Sequence, residues 1–256
     1  MLFPELFKQL EAVRWNMERD IPWSSFDASK LSDEQAQTIK MNAITEWAAL
    51  PATEMFLRDN RDDSDFSSFM SIWFFEEQKH SLVLMEYLRR FRPDLVPTEA
   101  ELHEVRFEFD PAPALETLML HFCGEIRLNH WYRRAAEWHT EPVIKAIYET
   151  LARDEARHGG AYLRYMKKSL SELGDTARAA FAKKTLNYVE QSVPHWVMSG
   201  GALPVMILPT TGETARGDVN NTWVPSGVKP CTTSAPGCHV RRRGTPPVTG
   251  TTKTST

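Results

Sequence analysis

Two short stretches of this chain carry side chains of the types that hold metal ions: Glu76-Glu77-Gln78-Lys79-His80 and Asp154-Glu155-Ala156-Arg157-His158. Both read acid, Glu, any, any, His, and the sequence holds no third Glu-x-x-His. On an α-helix, a Glu at i and a His at i+3 project from one face, so each stretch offers a carboxylate and an imidazole to a single point. One such pair alone carries little weight, because an exposed helical charge beside a solvated histidine is spelled the same way. The weight comes from where the two copies sit. Each falls in the middle of a long helical pattern, and two other helical patterns place a glutamate, Glu46 or Glu125, inside an apolar run.

The elements that must position these residues follow from apolar spacing and helix-end signals. Leu6, Leu10, Val13 and Met17 recur at helical spacing and predict a leading helix from Leu2 to about Arg19. Ser32-Asp33-Glu34-Gln35 reads as a capping box that opens a helix carrying Glu46 and running to about Arg58. After a polar turn at 60–64, an apolar helix from about Asp65 to Phe91 carries Glu77 and His80. Pro93, Pro97 and the alternating stretch Val105 to Phe109 make the region from Arg92 to Asp110 a crossover. A third bundle helix, from about Pro111 to Trp138, carries Glu125, and a fourth, after Pro142 and up to about Leu173, carries Glu155 and His158. Short links force antiparallel neighbours, whereas the long one can return along the bundle. The expected fold is therefore all-α: a ferritin-like four-helix bundle with a long crossover between the second and third bundle helices, a leading N-terminal helix and an irregular C-terminal tail.

In domain terms, residues 1–30 form a helix and loop, 31–183 the bundle, 184–208 an extension of uncertain character and 209–256 a tail. Trp196 to Pro209 is apolar but interrupted by Gly200, Gly201 and Pro204, which reads as irregular. Half of residues 209–256 are Thr, Pro or Gly, a composition that cannot bury a core, and this tail reads as disordered and foreign to the domain. Its basic run His239-Val240-Arg241-Arg242-Arg243 reads as solvated chain.

Composition removes several classes of function. A net charge of -4 over 256 residues offers no broad attraction to nucleic acid. No apolar stretch reaches the roughly 18 residues of a membrane span, and the N-terminus lacks a basic region followed by an apolar core. Cys123 lies in an apolar helical pattern and Cys231 and Cys238 in the tail, so no disulfide framework is present, and a cytoplasmic location is expected.

Glu46, Glu77, His80, Glu125, Glu155 and His158 together form a complete donor set. One Glu from each of two helices, with Glu-x-x-His from each of the other two, is the arrangement of di-iron and di-manganese carboxylate bundles. Four carboxylates and two imidazoles can neutralise and bridge two divalent cations and leave positions open. The mixed oxygen and nitrogen shell suits two iron ions, and manganese in one or both positions equally well, better than zinc. Glu76 and Asp154, each four residues before its own histidine, are candidate acceptors for the second ring N–H of that histidine or of the opposite one.

Over residues 30–185 the chain resembles the soluble acyl-(acyl carrier protein) desaturases of the ferritin-like di-iron superfamily. The resemblance rests on Ile44-Thr45-Glu46 followed by Ala49-Leu50-Pro51, on Trp73 to His80, and on Asp154-Glu155, Arg157-His158 and Ala161-Tyr162. It implies Glu46 and Glu125 as terminal ligands, Glu77 and Glu155 as bridging ones, and Asp154 as a partner of a ligand histidine. It also implies dioxygen as co-substrate, an external electron donor such as ferredoxin, and an acyl carrier protein as partner; a homodimer is compatible with it. Ala49-Leu50-Pro51 stands one residue further from the ligand than the family pattern, which predicts a different bend there. Leu128 replaces the threonine that the desaturases place three residues after the third-helix glutamate. Desaturation or oxygenation of an acyl chain or similar apolar substrate is the leading expectation. An N-oxygenase or hydroxylase, a bacterioferritin-like iron oxidase and a metal-free structural bundle are the alternatives.

Trp47, Phe74, Leu118, Phe122 and Leu128 are candidate tunnel-lining residues, with core packing the competing reading. The basic clusters Arg89-Arg90-Arg92, Arg133-Arg134 and Lys167-Lys168 are candidate docking points for an acidic carrier, with a solvated face as the competing reading. His121, His130 and His139 share the third helix with Glu125 and are assigned no role.

Overall fold

The computed structural model describes residues 1–106 and 110–192. Among them are eight α-helices and no strand: α1 Phe3–Val13, α2 Asp33–Glu46, α3 Ala49–Asp59, α4 Ser64–Phe91, α5 Glu99–His103, α6 Ala114–Trp138, α7 Pro142–Ser171 and α8 Asp175–Ser192. No described helix is long and apolar enough to cross a membrane. The expected alternating stretch ends in residues 107–109, and the expected irregular segment and tail begin beyond 192, all outside the described residues.

Two helices differ from expectation for local reasons. The leading helix stops at Val13, because the Asn16 side-chain oxygen takes the backbone N–H groups of Glu18 (3.0 Å) and Arg19 (2.9 Å) and folds the chain into a turn where helix was expected. The helix expected to run to Arg58 breaks at Trp47 and Ala48, one residue past Glu46. Pro51 has no N–H to give the Trp47 carbonyl, and its ring crowds that carbonyl. The Leu50 N–H reaches it instead at 3.4 Å, a tighter i to i−3 turn. The bend expected beside the first ligand is therefore a full interruption.

The remaining ends are capped by side chains. Ser32 and Gln35 form the reciprocal capping box that opens α2. Asp63 caps α4 through the N–H groups of Asp65 and Phe66. Glu141 caps α7, takes the Tyr87 hydroxyl at 2.9 Å and is followed by Pro142, whose missing N–H costs nothing at a first helical position. Asp65 accepts the N–H groups of Leu2 (2.6 Å) and Phe3 (2.9 Å), which pins α1 to α4 while Leu6 and Leu10 bury their side chains. The extension expected after residue 183 begins inside α8, which runs on to Ser192.

Packing pairs α2 and α3 with α4, α6 with α7, α4 with α7, and α3 with α6, a helical bundle. Its interior holds two apolar cores. The first contains Ile39, Ala43, Leu84, Leu88, Tyr132, Ile147 and Leu151; the second contains Phe56, Phe66, Phe69, Trp73, Leu118, Tyr162 and Tyr165. Going along the chain, α2–α3 and α7 pass from the first core to the second, and α4 and α6 pass from the second to the first. So α4 and α6 run parallel, as the long crossover between them requires. Every one of these four passages has its Glu or Glu-x-x-His at the change from one core to the other.

Candidate metal centre

At that junction the chain buries charge. Glu46, Glu77, His80, Glu125, Glu155 and His158 are all buried, and both histidines and Glu155 are fully so. Side-chain donor atoms of Glu46, Glu77, His80 and Glu155 lie within 4.8 Å of one another, and those of Glu77, Glu125, Glu155 and His158 do the same. Glu77 and Glu155 belong to both groups, the placement bridging carboxylates require, while Glu46 and Glu125 each belong to one. The sequence thus names six residues that the fold brings to one place, Glu155 and His158 from 75 or more positions beyond the first pentad.

The histidines show how the site is aimed. His80 Nε2 donates to Asp154 Oδ2 at 3.1 Å, and His158 Nε2 donates to Glu76 Oε2 at 2.9 Å. Each pentad's leading acid therefore serves the opposite histidine. With Nε2 engaged, Nδ1 of each ring faces the carboxylates: His80 Nδ1 lies 3.3 Å from Glu155 and 3.6 Å from Glu46, and His158 Nδ1 lies 2.8 Å from Glu77 and 3.5 Å from Glu155. Arg157 pairs with Asp154 and reaches within 3.8 Å of Glu76.

Seven buried atoms here lack any hydrogen-bond partner: Oε1 of Glu46, Glu77 and Glu155, Oε2 of Glu125 and Glu155, and Nδ1 of both histidines. Buried polar atoms are nearly always satisfied, and leaving several unpaired in one place is unfavourable unless something else satisfies them. All seven belong to the six converging residues, and all are metal-ligand types. The donor set fits a pair of cations.

Electrostatics agree. Burial, together with the Glu125 charge, pushes the Glu77 carboxyl up to about 7. Burial and the Glu77 and Glu125 charges raise Glu155 well above the usual range. Burial also works against ionised Glu125, but the neighbouring Glu155 and His158 and the hydrogen bond from Trp73 pull it down to about 2. Burial disfavours charge on His80 and His158, yet the surrounding carboxylates raise both well above the ordinary histidine value. Four acids around two bases, without cations, keep protons that divalent ions would displace.

Other expected residues have different surroundings. Leu118 is buried in the second core, Phe74 and Phe122 pack on that core, and Trp47 and Leu128 pack on the first. The basic clusters are largely engaged within the chain: Arg90 with Glu86 and Glu18, Arg92 with Asp33 and Asp94, Arg134 with Glu137, and Lys168 with Asp63. His121 packs its ring 4.1 Å from that of Phe56, and burial lowers it to about 4. His139 is buried at the end of α6, and burial lowers it to about 4 as well.

Two supporting tryptophans escape a reading of the sequence. Trp15 Nε1 donates to Asp154 Oδ2 at 2.7 Å from the loop after α1, and Lys79 sits 3.9 Å over its ring. Nothing in its local spacing signals this contact across 139 positions. Trp73 Nε1 donates to Glu125 Oε1 at 2.9 Å; it opens the Trp73 to His80 stretch and precedes Glu77 by one helical turn, but neither feature signals this bond. The chain matches no known family profile and no curated protein sequence.

Proposed function

We propose that the chain is a ferritin-like di-iron oxidoreductase, similar to the acyl-(acyl carrier protein) desaturases, that uses dioxygen to desaturate or oxygenate an acyl chain or similar apolar substrate. The observation that carries this reading is the convergence of seven unpartnered buried donor atoms from four helices, with Glu77 and Glu155 common to both halves. When bound, a pair of iron ions would supply the means to reduce dioxygen and to take hydrogen from an unactivated C–H bond. Removing two hydrogens from a saturated chain and reducing dioxygen to two waters requires two further electrons and two protons. An external donor such as ferredoxin provides those electrons.

The chain's own residues have defined tasks in this reading. Glu46 and Glu125 would each help to hold one ion, and Glu77 and Glu155, common to both groups, would serve both. Asp154 and Glu76 hold the histidine protons at Nε2, which turns each Nδ1 lone pair inward. Trp73 fixes the orientation of Glu125. The two apolar cores exclude water above and below the charged layer, which strengthens electrostatic contacts inside it. A hydroxylase or N-oxygenase is the second reading, favoured by Leu128, an apolar side chain where the desaturases carry a threonine.

The test is anaerobic loading of the full chain with Fe(II), exposure to oxygen with a reductant system, and mass spectrometry of acyl-(carrier protein) substrates. A product lighter by two hydrogens supports desaturation, and one heavier by an oxygen supports hydroxylation. Rapid Fe(II) turnover with neither product would replace both readings with iron oxidation.

A further inference from the structure

Tyr162 stands apart from the other tyrosines of the second core. It lies on α7 one turn past His158 and is fully buried, and its hydroxyl has no hydrogen-bond partner. Its neighbour Tyr165, almost as deeply buried, gives its hydroxyl to the Asp65 carbonyl at 3.2 Å. The Tyr162 ring is held by Phe56 at 5.3 Å, Phe69 at 5.9 Å and Trp73 at 6.2 Å between centroids, a setting that a phenylalanine would fill equally well. Burial, followed by the charges of Glu125, Glu77 and Glu155, raises its phenol well above the ordinary value. Those three carboxylates belong to the half-site that includes His158. Trp73 lies edge-on to both the Tyr162 ring at 6.2 Å and the His158 ring at 6.5 Å and donates to Glu125, so Tyr162 stands next to that half-site, where burying its hydroxyl unpaired is unfavourable.

We infer that the Tyr162 hydroxyl donates a hydrogen bond to a small oxygen- or nitrogen-donor ligand that occupies the position left open by the protein on the Glu125 side of the metal pair. The inference rests on the metal reading above and adds a binding residue that contributes no metal bond. It assigns a role to the one unpartnered hydroxyl in a wall that also includes Phe56, Phe69, Trp73 and His121. A phenol can donate to the inner or outer atom of water, hydroxide or a linear anion, but it has nothing to offer a purely hydrocarbon ligand. The two half-sites consequently differ in what they accept: a hydrogen-bonding ligand is held on the His158 side.

Azide serves as the probe because its binding to iron(III) is read by visible absorption without turnover. The full chain, loaded with iron and oxidised, is titrated with azide as wild type, Tyr162→Phe and Tyr165→Phe. Loss of one hydrogen bond to a charged ligand predicts about a tenfold weaker azide affinity for Tyr162→Phe. Its iron content should stay unchanged and its metal-free melting temperature should equal or exceed that of wild type. Tyr165→Phe, which loses a partnered hydroxyl, should melt lower and bind azide as wild type does. Equal azide affinity in Tyr162→Phe and wild type overturns the inference while leaving the metal site standing. A lower melting temperature or misfolding of Tyr162→Phe also overturns it, since the hydroxyl would then have a structural partner. A wild-type chain that binds no iron overturns this inference and the proposed function together.

Discussion

The two halves of the charged layer share a donor set and differ in what stands behind it. On the His80 side, Asp154 accepts from His80, from Trp15 and from Arg157, so support reaches outward to the loop after α1 and to the half-buried Lys79. On the His158 side, Glu76 accepts from His158, Trp73 accompanies Glu125, and a wall of buried aromatic rings follows. The first half is tied to the surface and the second is sealed in the core. Nearly equivalent pentads, placed on antiparallel helices, thus acquire different surroundings from the rest of the chain. The shared carboxylates Glu77 and Glu155 couple the halves.

That comparison breaks most completely when a shared ligand is removed. Glu155→Ala is expected to abolish binding at both positions, whereas Glu46→Ala and Glu125→Ala should each leave one ion, as read by metal analysis per chain. If Glu155→Ala retained one ion, the halves would be independent. The supporting acids come next: Asp154→Asn and Glu76→Gln are each expected to weaken metal affinity about 10–100-fold, the range typical of carboxylates that orient ligand histidines. Competition with a chelator of known affinity measures it, and Asp154→Asn should show the larger loss because three donors depend on that carboxylate.

Acidity provides a third test. Glu77 is raised in the folded, metal-free chain, so the folded state holds a proton that the unfolded state releases between pH 4.5 and about 7. His80 and His158 are raised too, and the stability from their charged forms is present below 6.5 and lost as pH climbs through their higher folded values. Both signs agree: the metal-free protein should melt at lower temperature as pH rises from 4.5 past 7. Asp154 and Glu125 are depressed, so their contribution disappears only in stronger acid. Metal binding displaces the retained protons, and metal affinity should therefore increase over the same interval. Calorimetric melting with and without metal, repeated across pH, checks both statements, and a metal-free melting temperature that rises with pH would contradict them.

A last test separates the outer supports, each acting on one half only. Trp15→Phe and Trp73→Phe each remove one hydrogen bond to a carboxylate, worth about 1.5–3 kcal/mol when the acceptor is charged. Trp15→Phe should weaken binding chiefly at the His80 position and Trp73→Phe at the Glu125 position. Metal-specific spectra of a mixed-metal form would register which position has changed.

The sequence made part of this legible and left the rest hidden for physical reasons. Glu77, His80, Glu155 and His158 are visible because helical spacing converts i and i+3 into a shared face, and Glu46 and Glu125 because charge inside an apolar run is unusual. The crossing of supports, Asp154 to His80 and Glu76 to His158, was not decidable, since either acid could have served its own helix. The break after Glu46 followed from Pro51, yet the apolar pattern continues through it and conceals the interruption. Trp15 was invisible because a loop residue carries no periodicity. Tyr162 was readable as part of a motif, but that its hydroxyl is unpartnered is a property of the packed core alone.

On the proposed reading, two cations belong among these six residues. Anaerobic titration of the metal-free full chain with Fe(II), followed by calorimetry and by elemental analysis after gel filtration, tests it most directly. Two ions per chain should be retained, with proton release into the buffer on binding, and both should be lost in Glu155→Ala. Retention of no metal by the wild-type chain, or equal retention by wild type and Glu155→Ala, would contradict it.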